Sequence, residues 1–338
     1  MLKDLLAKVS MKEDLTYEEA KSALAEIMSG EVSPILISSF LTALAMKGET
    51  DEEIAGCADG MTSKALLLPV DYETLEIVGT GGDRSNSFNI STTSSIVIAT
   101  AGVKVTKHGN RAASSKSGAA DCYEALGVNI NAEPEVMKKS LDENNIAFMF
   151  AQKYHSAMRF VGPVRKEIGI RTVFNILGPL TNPAKATMDV LGVFSEEYVE
   201  KIAKTLVRLG TTDAVVVYGM DCLDEISASA ETKVAEIRNG EIVKYYMIKP
   251  EDFGLRRVKK EELLGGTGEE NAAISRAVLE GTATEAQTNA VLLNAGAGIY
   301  VAKKGAITLK EGVDIARETI ESGKALKTLE AFIKTTNE

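Results

Sequence analysis

The chain has 338 residues and a mass of 36.1 kDa, with 45% hydrophobic and 25% charged residues; this is ordinary globular usage for about two domains and excludes a disordered or repetitive chain. Its 38 Lys+Arg against 48 Asp+Glu leave a net charge of −10, whereas a general binder of nucleic acid or anionic membrane would be basic. Two histidines exclude a His-rich metal site, and the absence of Trp with 5% aromatics leaves little surface for stacking single-stranded nucleic acid.

Residues 1–68 read as helices alone. Thr16-Tyr17-Glu18-Glu19 has the form of a capping box, followed by Ala20, Leu24 and Ile27 at helical spacing. Ser33-Pro34 is a cap with proline at the first helical position, and 35–46 is apolar on most sides, as a buried helix is. Thr50-Asp51-Glu52-Glu53 opens another helix. From Leu75 the pattern alternates. Strands are predicted at 75–78, 103–105, 147–150, 190–194, 214–218, 234–237 and 242–247. Helices are predicted at 91–101, 133–143, 155–167, 196–209, 269–280 and 283–302, with one or two surface helices in 309–335. The expectation is an α/β protein: a small all-helical domain over 1–68, and a large α/β domain over 69–338 with a central, largely parallel sheet. Cys57, Cys122 and Cys222 are scattered, which suits reduced thiols and a cytoplasmic location. No apolar run reaches the roughly 18 residues of a membrane span, and the charged N-terminus lacks a signal peptide's apolar core.

Four stretches carry chemistry. Gly79-Thr80-Gly81-Gly82-Asp83 ends the first α/β strand, and Asn89-Ile90-Ser91-Thr92 opens the next helix. Glycines that let the backbone approach a ligand, followed by a helix N-terminus, suit phosphate; a tight turn with a Ser/Thr cap reads equally well from the glycines alone. Neither G-x-G-x-x-G nor G-K-[ST] is present in this stretch. The second stretch runs from Lys104 to Lys116 with four Lys/Arg, one His and no carboxylate, a local reversal of sign that is either a solvated basic face or a phosphate-rich site. In the third, Asp224-Glu225 follows a predicted strand, where α/β ligand sites lie; a solvated pair is the bland reading and Mg²⁺, held with substrate phosphates, the sharper one. In the fourth, 155–183, Arg165 is placed either to clamp a carboxylate or on a helix surface. Gly265-Gly266-Thr267-Gly268 reads as a plain linker, its surroundings being acidic.

Taken together, these residues resemble the anthranilate phosphoribosyltransferase family along nearly the whole chain. The matching stretches are GTGGD at 79–83, NIST at 89–92, KHGNRAASSKSGAAD at 107–121, RTVFNILGPLTNPA at 171–184, LDEIS at 223–227 and VLLNAGAGIY at 291–300. The resemblance implies a nucleoside-phosphorylase-like fold whose helical domain also takes in part of about 165–190, and a homodimer formed through that domain. It implies transfer of a phosphoribosyl group from 5-phosphoribosyl 1-diphosphate to the amine of anthranilate, the second step of the tryptophan branch. Mg²⁺ would be required, with two ions per monomer.

By the same resemblance, the phosphoribosyl diphosphate site would comprise Gly79, Gly82, Asp83, Ser87, Asn89, Ile90, Ser91, Thr92, Lys107, His108, Gly109, Asn110, Arg111, Ala112, Ala113, Ser114, Ser115 and Ala119. Anthranilate would meet Gly79, His108, Asn110, Arg165 and Gly178, and the metal Ser91, Asp224 and Glu225. The chain departs from the family pattern at Ala119, usually Ser, and at Ser156, usually Pro. No general base is assigned, since an anilinic amine is a neutral nucleophile at pH 7. Two rival readings are a pyrimidine nucleoside phosphorylase-type enzyme and a non-catalytic nucleic-acid-binding protein of the same fold. The Asp224-Glu225 pair counts against the first and the net charge against the second; no nucleic-acid or membrane partner is expected.

Overall fold

The computed structural model describes residues 1–112 and 116–338. Four helices open the chain: α1 (Leu2–Ser10), α2 (Tyr17–Ile27), α3 (Pro34–Lys47) and α4 (Asp51–Thr62). The local signals set their starts. Thr16 and Thr50 each accept the backbone N–H of the glutamate three residues on, and Glu19 and Glu53 return the bond to the cap's own N–H. Ser33 caps α3, with Pro34 behind it.

Seven strands follow in one sheet: β1 (Leu75–Gly79), β2 (Val105–Gly109), β3 (Ile146–Phe150), β4 (Met188–Gly192), β5 (Asp213–Gly219), β6 (Thr232–Arg238) and β7 (Glu241–Ile248). Their order is β3-β2-β1-β4-β5-β6-β7. The first five are parallel, and β6 and β7 form an antiparallel extension. Between and after them lie α5 (Ile90–Thr100), α6 (Ala119–Leu126), α7 (Pro134–Asn144), α8 (Ala151–Tyr154), α9 (Gly162–Ile168), α10 (Phe174–Leu177), α11 (Glu197–Arg208), α12 (Gly268–Glu280), α13 (Glu285–Val301), α14 (Leu309–Glu321) and α15 (Lys324–Asn337). Among the described residues no helix is long and apolar enough to cross a membrane.

Alternate residues of the strands feed two separate cores, as a sheet covered on both faces requires. Ile77, Val105, Val190, Val215 and Val217 pack with residues of α5, α6, α7 and α12–α15. Leu191, Val193, Ala214 and Val216 pack with α11, with α1–α4 and with residues 157–180. The N-terminal helices therefore share a core with the 157–180 segment.

Two expectations are corrected. The second strand does not end at 105: it begins at Val105 and continues through Lys107 and His108, which are buried in the sheet rather than standing in a loop beyond it. The single helix expected over 155–167 is instead a 3₁₀ turn at 156–160 followed by α9 starting at Gly162-Pro163, with the short α8 ending just before it. Pro163 has no N–H to continue a helix from the preceding turn, so the chain restarts there.

Candidate active site

The sheet order reverses between β1 and β4, and in a parallel sheet such a switch point opens a crevice at the strands' C-terminal ends. Gly79 and Gly192, paired across these strands, end them. Asp224 passes directly over both: a Cβ at Gly79 would overlap its carboxylate, and one at Gly192 its backbone carbonyl. Glycine is required at both by close approach and not by dihedral angle. Beyond Gly79 the loop turns through Gly81 (φ +70°) and Gly82 (φ +74°), where glycine relieves the left-handed backbone. The Gly81 N–H donates to Asp224 Oδ2 at 2.6 Å, and the Arg171 guanidinium, stacked 4.0 Å over the Phe194 ring, donates to the Gly82 carbonyl at 2.7 Å.

Asp224 is buried here and Glu225 is half-buried with its Oε2 out of solvent, so the pair is not a solvated one. Glu225 Oε1 accepts the Ser91 N–H at 3.2 Å, at the start of α5, while its buried Oε2 has no hydrogen-bond partner among the described residues. Asn294 on α13 grips the next peptide from both sides, accepting Ile226 N–H at 3.0 Å and donating to its carbonyl at 2.9 Å. Burial first, and then the Asp83 carboxylate, pushes Asp224 up to about 8; burial and Asp224 raise Glu225 well above the usual carboxylate range. Such groups want a cation. Among the described residues no three carboxylate, His or Cys groups form a ready-made cage. An orphaned hard oxygen beside a second carboxylate and the Ser91 hydroxyl nevertheless fits Mg²⁺, which commonly takes one or two carboxylates and completes its shell with water and substrate phosphate.

Lys107 reaches the same place from β2. Its buried Nζ donates to the Ile77 carbonyl at 2.5 Å and to Ser91 Oγ at 3.1 Å. Burial pulls its pKa down, and Glu76, Glu225 and Asp224 oppose the fall. The rest of the basic stretch divides. Lys104 lies at the other end of β2, donating to the Leu141 and Asp142 carbonyls, so it is not part of the site. Arg111 is held by Asp121 at 2.9 Å and by both Glu124 oxygens at 2.7 and 3.0 Å. Asp121 also accepts the Ala112 and Gly118 N–H groups at 2.9 Å each, pinning the two ends of the intervening loop. Asn110 accepts the Arg111 N–H, and its carbonyl takes the Ala120 N–H. Ala119 lies against Gly109, close enough to leave no room for a Cβ there. Ala113, Ser114 and Ser115 lie outside the described residues. Asn89 does not cap α5 with its side chain; its Oδ1 accepts from Asn271 and Ser117. Thr92 is buried, its hydroxyl without a partner among the described residues, and Ser87 bonds Ser85.

On the other side of His108 lies the 155–182 segment. The rings of His108 and His155 are 5.0 Å apart, and His155 Nε2 bonds the Thr181 carbonyl at 2.9 Å. Burial lowers His108 to about 3 and His155 to about 4, with a Gly178 backbone contact opposing the fall at His108. Both are neutral at pH 7, and His108 Nε2 is buried without a partner among the described residues. Arg165, on α9, is half-buried and stacks 5.3 Å from the Phe174 ring. Among the described residues its guanidinium has no ion pair and no hydrogen bond, and desolvation lowers its pKa.

Three contributors had no obvious sequence signal. The glycine stretch at 265–268 is more than a linker: Leu264 bridges Ser87, Gly265 N–H donates to the Asn86 carbonyl, and Phe88 N–H to that of Leu263, so it braces the 85–88 segment. Asn294 and Arg171 are the others; both stand inside matching stretches, but nothing in their spacing assigns them these partners.

Residues 71–326 match the glycosyl transferase family's a/b domain and residues 3–65 its helical bundle domain. A curated anthranilate phosphoribosyltransferase from Methanobrevibacter smithii is 56% identical, each chain being covered in full. The crystal structure of the Thermus thermophilus anthranilate phosphoribosyltransferase superposes with a TM-score of 0.94 at 45% identity, covering 98% of this chain and 99% of that one. The Saccharomyces cerevisiae enzyme in complex with PRPP and Mg superposes with a TM-score of 0.89 at 31% identity, covering 99% and 98%. In complex with 4-fluoroanthranilate the same yeast enzyme gives 0.88 at 29%, covering 100% and 99%.

Proposed function

The chain belongs to the anthranilate phosphoribosyltransferase family, and on that premise we propose that it transfers the 5-phosphoribosyl group of 5-phosphoribosyl 1-diphosphate to the amine of anthranilate. The products are N-(5-phosphoribosyl)anthranilate and pyrophosphate, and the reaction is the second step of the tryptophan branch. The yeast relative's complexes with PRPP and Mg and with 4-fluoroanthranilate support this choice of substrates. The observation that carries it is the Asp224-Glu225 pair beside Lys107, with the buried Asp224 laid across Gly79 and Gly192 and Glu225 Oε2 buried without a partner among the described residues. A site for plain phosphate has no use for such a carboxylate pair; a site for a metal diphosphate does.

In this reading the N–H groups of the 79–83 loop, the start of α5 at 89–92, and Lys107 through Ser115 surround the phosphates and ribose. Displacement at the anomeric carbon builds oxocarbenium character and sends negative charge onto the leaving diphosphate, and these donors meet it. Asp224, Glu225 and Ser91 would hold Mg²⁺, two ions per monomer. Bound there, the metal neutralises charge on the leaving group. Arg165, with its guanidinium stacked on Phe174, clamps the anthranilate carboxylate; Asn110, His108 and Gly178 complete that pocket. The neutral His108 suits contact with an aromatic amine and needs no proton from it. Holding the amine in line with the anomeric carbon supplies the remaining rate.

We take residues 1–68 with part of about 165–190 as the helical domain and 69–338 as the α/β domain; the shared core of α1–α4 and 157–180 supports that division. The protein acts as a cytoplasmic homodimer joined through the helical domain. Ile35 and Met46, each 80% exposed on α3, supply apolar surface for such a contact. The test is anthranilate fluorescence followed with 5-phosphoribosyl 1-diphosphate, with and without Mg²⁺. Loss of signal that requires both establishes the transfer; persistence of the signal overturns it and directs attention to nucleoside phosphorolysis.

A further inference from the structure

Glu76 is the second residue of β1, wholly buried, and has no part in the transfer as proposed. Its surroundings are unusual for a parallel sheet. Strands β1 and β2 register only at Leu75 and Val105, whereas β1–β4 and β2–β3 are each paired over five residues. Beyond that single pair, side chains fill the gap in the ladder. The His108 N–H, which a continuous ladder would direct to a backbone carbonyl of β1, donates instead to both Glu76 oxygens at 3.0 and 3.1 Å. The freed Ile77 carbonyl takes Lys107 Nζ.

A third strand of chain enters the same gap. Asn182 Nδ2 donates to Glu76 Oε2 and to the Thr106 carbonyl at 2.7 Å, and its Oδ1 accepts the Ala184 N–H at 2.8 Å. These partners orient the amide: its NH₂ faces the carboxylate. Both Glu76 oxygens therefore accept from nitrogen donors. Burial pushes its pKa up to about 8, the Lys107 charge and the two donors offsetting only part of the rise. A carboxylate is retained in a dry sheet only where several donors converge on it, and here they come from β2, which leads into the phosphate-facing stretch, and from the segment that begins at Gly178 of the proposed anthranilate pocket.

We propose that Glu76 is a positioning residue that, through His108 N–H and Asn182, sets the spacing between the phosphate loop following β2 and the 178–182 segment of the anthranilate pocket. The role rests on the functional reading above. Its physical content is distance: in-line attack tolerates little misplacement between donor and acceptor, and Glu76, bonded to His108 N–H on β2 and to Asn182, forms one joint with the direct Asn182 bond to the Thr106 carbonyl.

Glu76→Gln tests it. Gln has one acceptor oxygen, so its NH₂ must face either the His108 N–H or the Asn182 amide, donor against donor. Glu76→Asp keeps two acceptors and withdraws them by one methylene. Steady-state kinetics with both substrates varied should show Glu76→Gln raising both KM values and lowering kcat/KM by about 10-fold or more, with Glu76→Asp in between. Loss of folded protein would lower kcat alone, since the surviving molecules keep their KM values. Glu76→Gln with kcat and both KM values within twofold of the unaltered protein overturns the role. Should that variant not fold, Asn182→Ala is measured instead, and the same two outcomes decide. The unaltered protein, assayed alongside, separates the two ideas: no transfer there overturns the functional reading, whereas equal transfer by both proteins overturns the role of Glu76.

Discussion

Asp224 accepts the backbone N–H of Gly81 at 2.6 Å, which makes the acidic loop after β5 and the glycine loop after β1 a single construction. The bond fixes one carboxylate oxygen against the glycine loop, and Glu225 leaves its Oε2 without a partner among the described residues. Asp224→Asn with Glu225→Gln keeps the shapes and removes both charges. Magnesium-dependent turnover should fall by about 100-fold or more, in the range seen when preorganised charge stabilisation is lost. Initial rates against Mg²⁺ concentration check this; an unchanged Mg²⁺ dependence in the double variant places the metal elsewhere.

Arg165 is a half-buried cation that no carboxylate neutralises among the described residues, and desolvation already disfavours its charge. An incoming carboxylate relieves that penalty. Charge-assisted hydrogen bonds of this kind are worth about 1.5–3 kcal/mol, so Arg165→Ala should raise the KM for anthranilate by about 10- to 100-fold and leave that for 5-phosphoribosyl 1-diphosphate within a few-fold. Arg165→Lys should recover only part, since a point charge cannot form the bidentate pair. Anthranilate KM unchanged in Arg165→Ala removes the residue from the acceptor site.

Much of this was legible in the sequence because the signals are local. Thr16, Ser33 and Thr50 announce their helices through residues three positions away, and strand–helix alternation gives the parallel sheet. The glycine loop and the acidic pair could be singled out because each is a compact run. What could not be read was their union, which joins residues 143 positions apart. Glu76 is a lone acid in the short run Leu75-Glu76-Ile77-Val78; alternation would put it in solvent, and only the gap between β1 and β2 explains its burial. Lys107 read as a loop cation because lysine is seldom buried, yet Ile77 and Ser91 supply it with acceptors. Gly265 acts through its backbone on the Asn86 carbonyl, and such a role leaves no mark in residue type. The break inside 155–167 did have a signal, in Gly162-Pro163, and a helix drawn through it ignored the missing N–H of Pro163.

His155 gives a pH dependence with a definite sign. Its ring is buried and neutral, donating from Nε2 to the Thr181 carbonyl, and burial depresses its pKa from 6.5 to about 4. Between these values the unfolded chain holds a proton that the folded one does not, so stability is present in full above pH 6.5 and is lost as pH falls toward 4. At 1.36 kcal/mol per pH unit the loss is roughly 3 kcal/mol for this group. His155→Gln can keep a donor for Thr181 and cannot titrate. Unfolding midpoints across pH 4–7 should therefore fall less steeply for the variant than for the unaltered protein, although carboxylates contribute equally to both. Parallel curves would show that His155 is not neutral in the folded state.

The helical unit offers a separate test, on Glu53. This residue completes the capping box of α4 by accepting the Thr50 N–H at 2.8 Å, but it does more. Its carboxylate, with no exposed surface, also accepts the Leu15 N–H at 2.8 Å and Lys47 Nζ at 2.8 Å. Lys47 is nearly as buried, at 4% side-chain exposure, and reaches Asp14 as well. One glutamate therefore ties the α1–α2 connection and the end of α3 to the start of α4. Removing Glu53 takes from Lys47 its buried partner and leaves it only the exposed Asp14; breaking a buried pair costs about 3–5 kcal/mol, and Asp14 holds the loss toward the lower end. Glu53→Ala should cost that much in denaturant unfolding, far beyond the loss of a cap alone, which is about 1 kcal/mol. Glu53→Ala combined with Lys47→Met should recover a large part, because it removes a buried cation left with only the exposed Asp14 and fills its place with an apolar side chain. Equal losses in the single and double variants would mean that the backbone bonds to Leu15 and Thr50, and not the ion pair, hold these helices together.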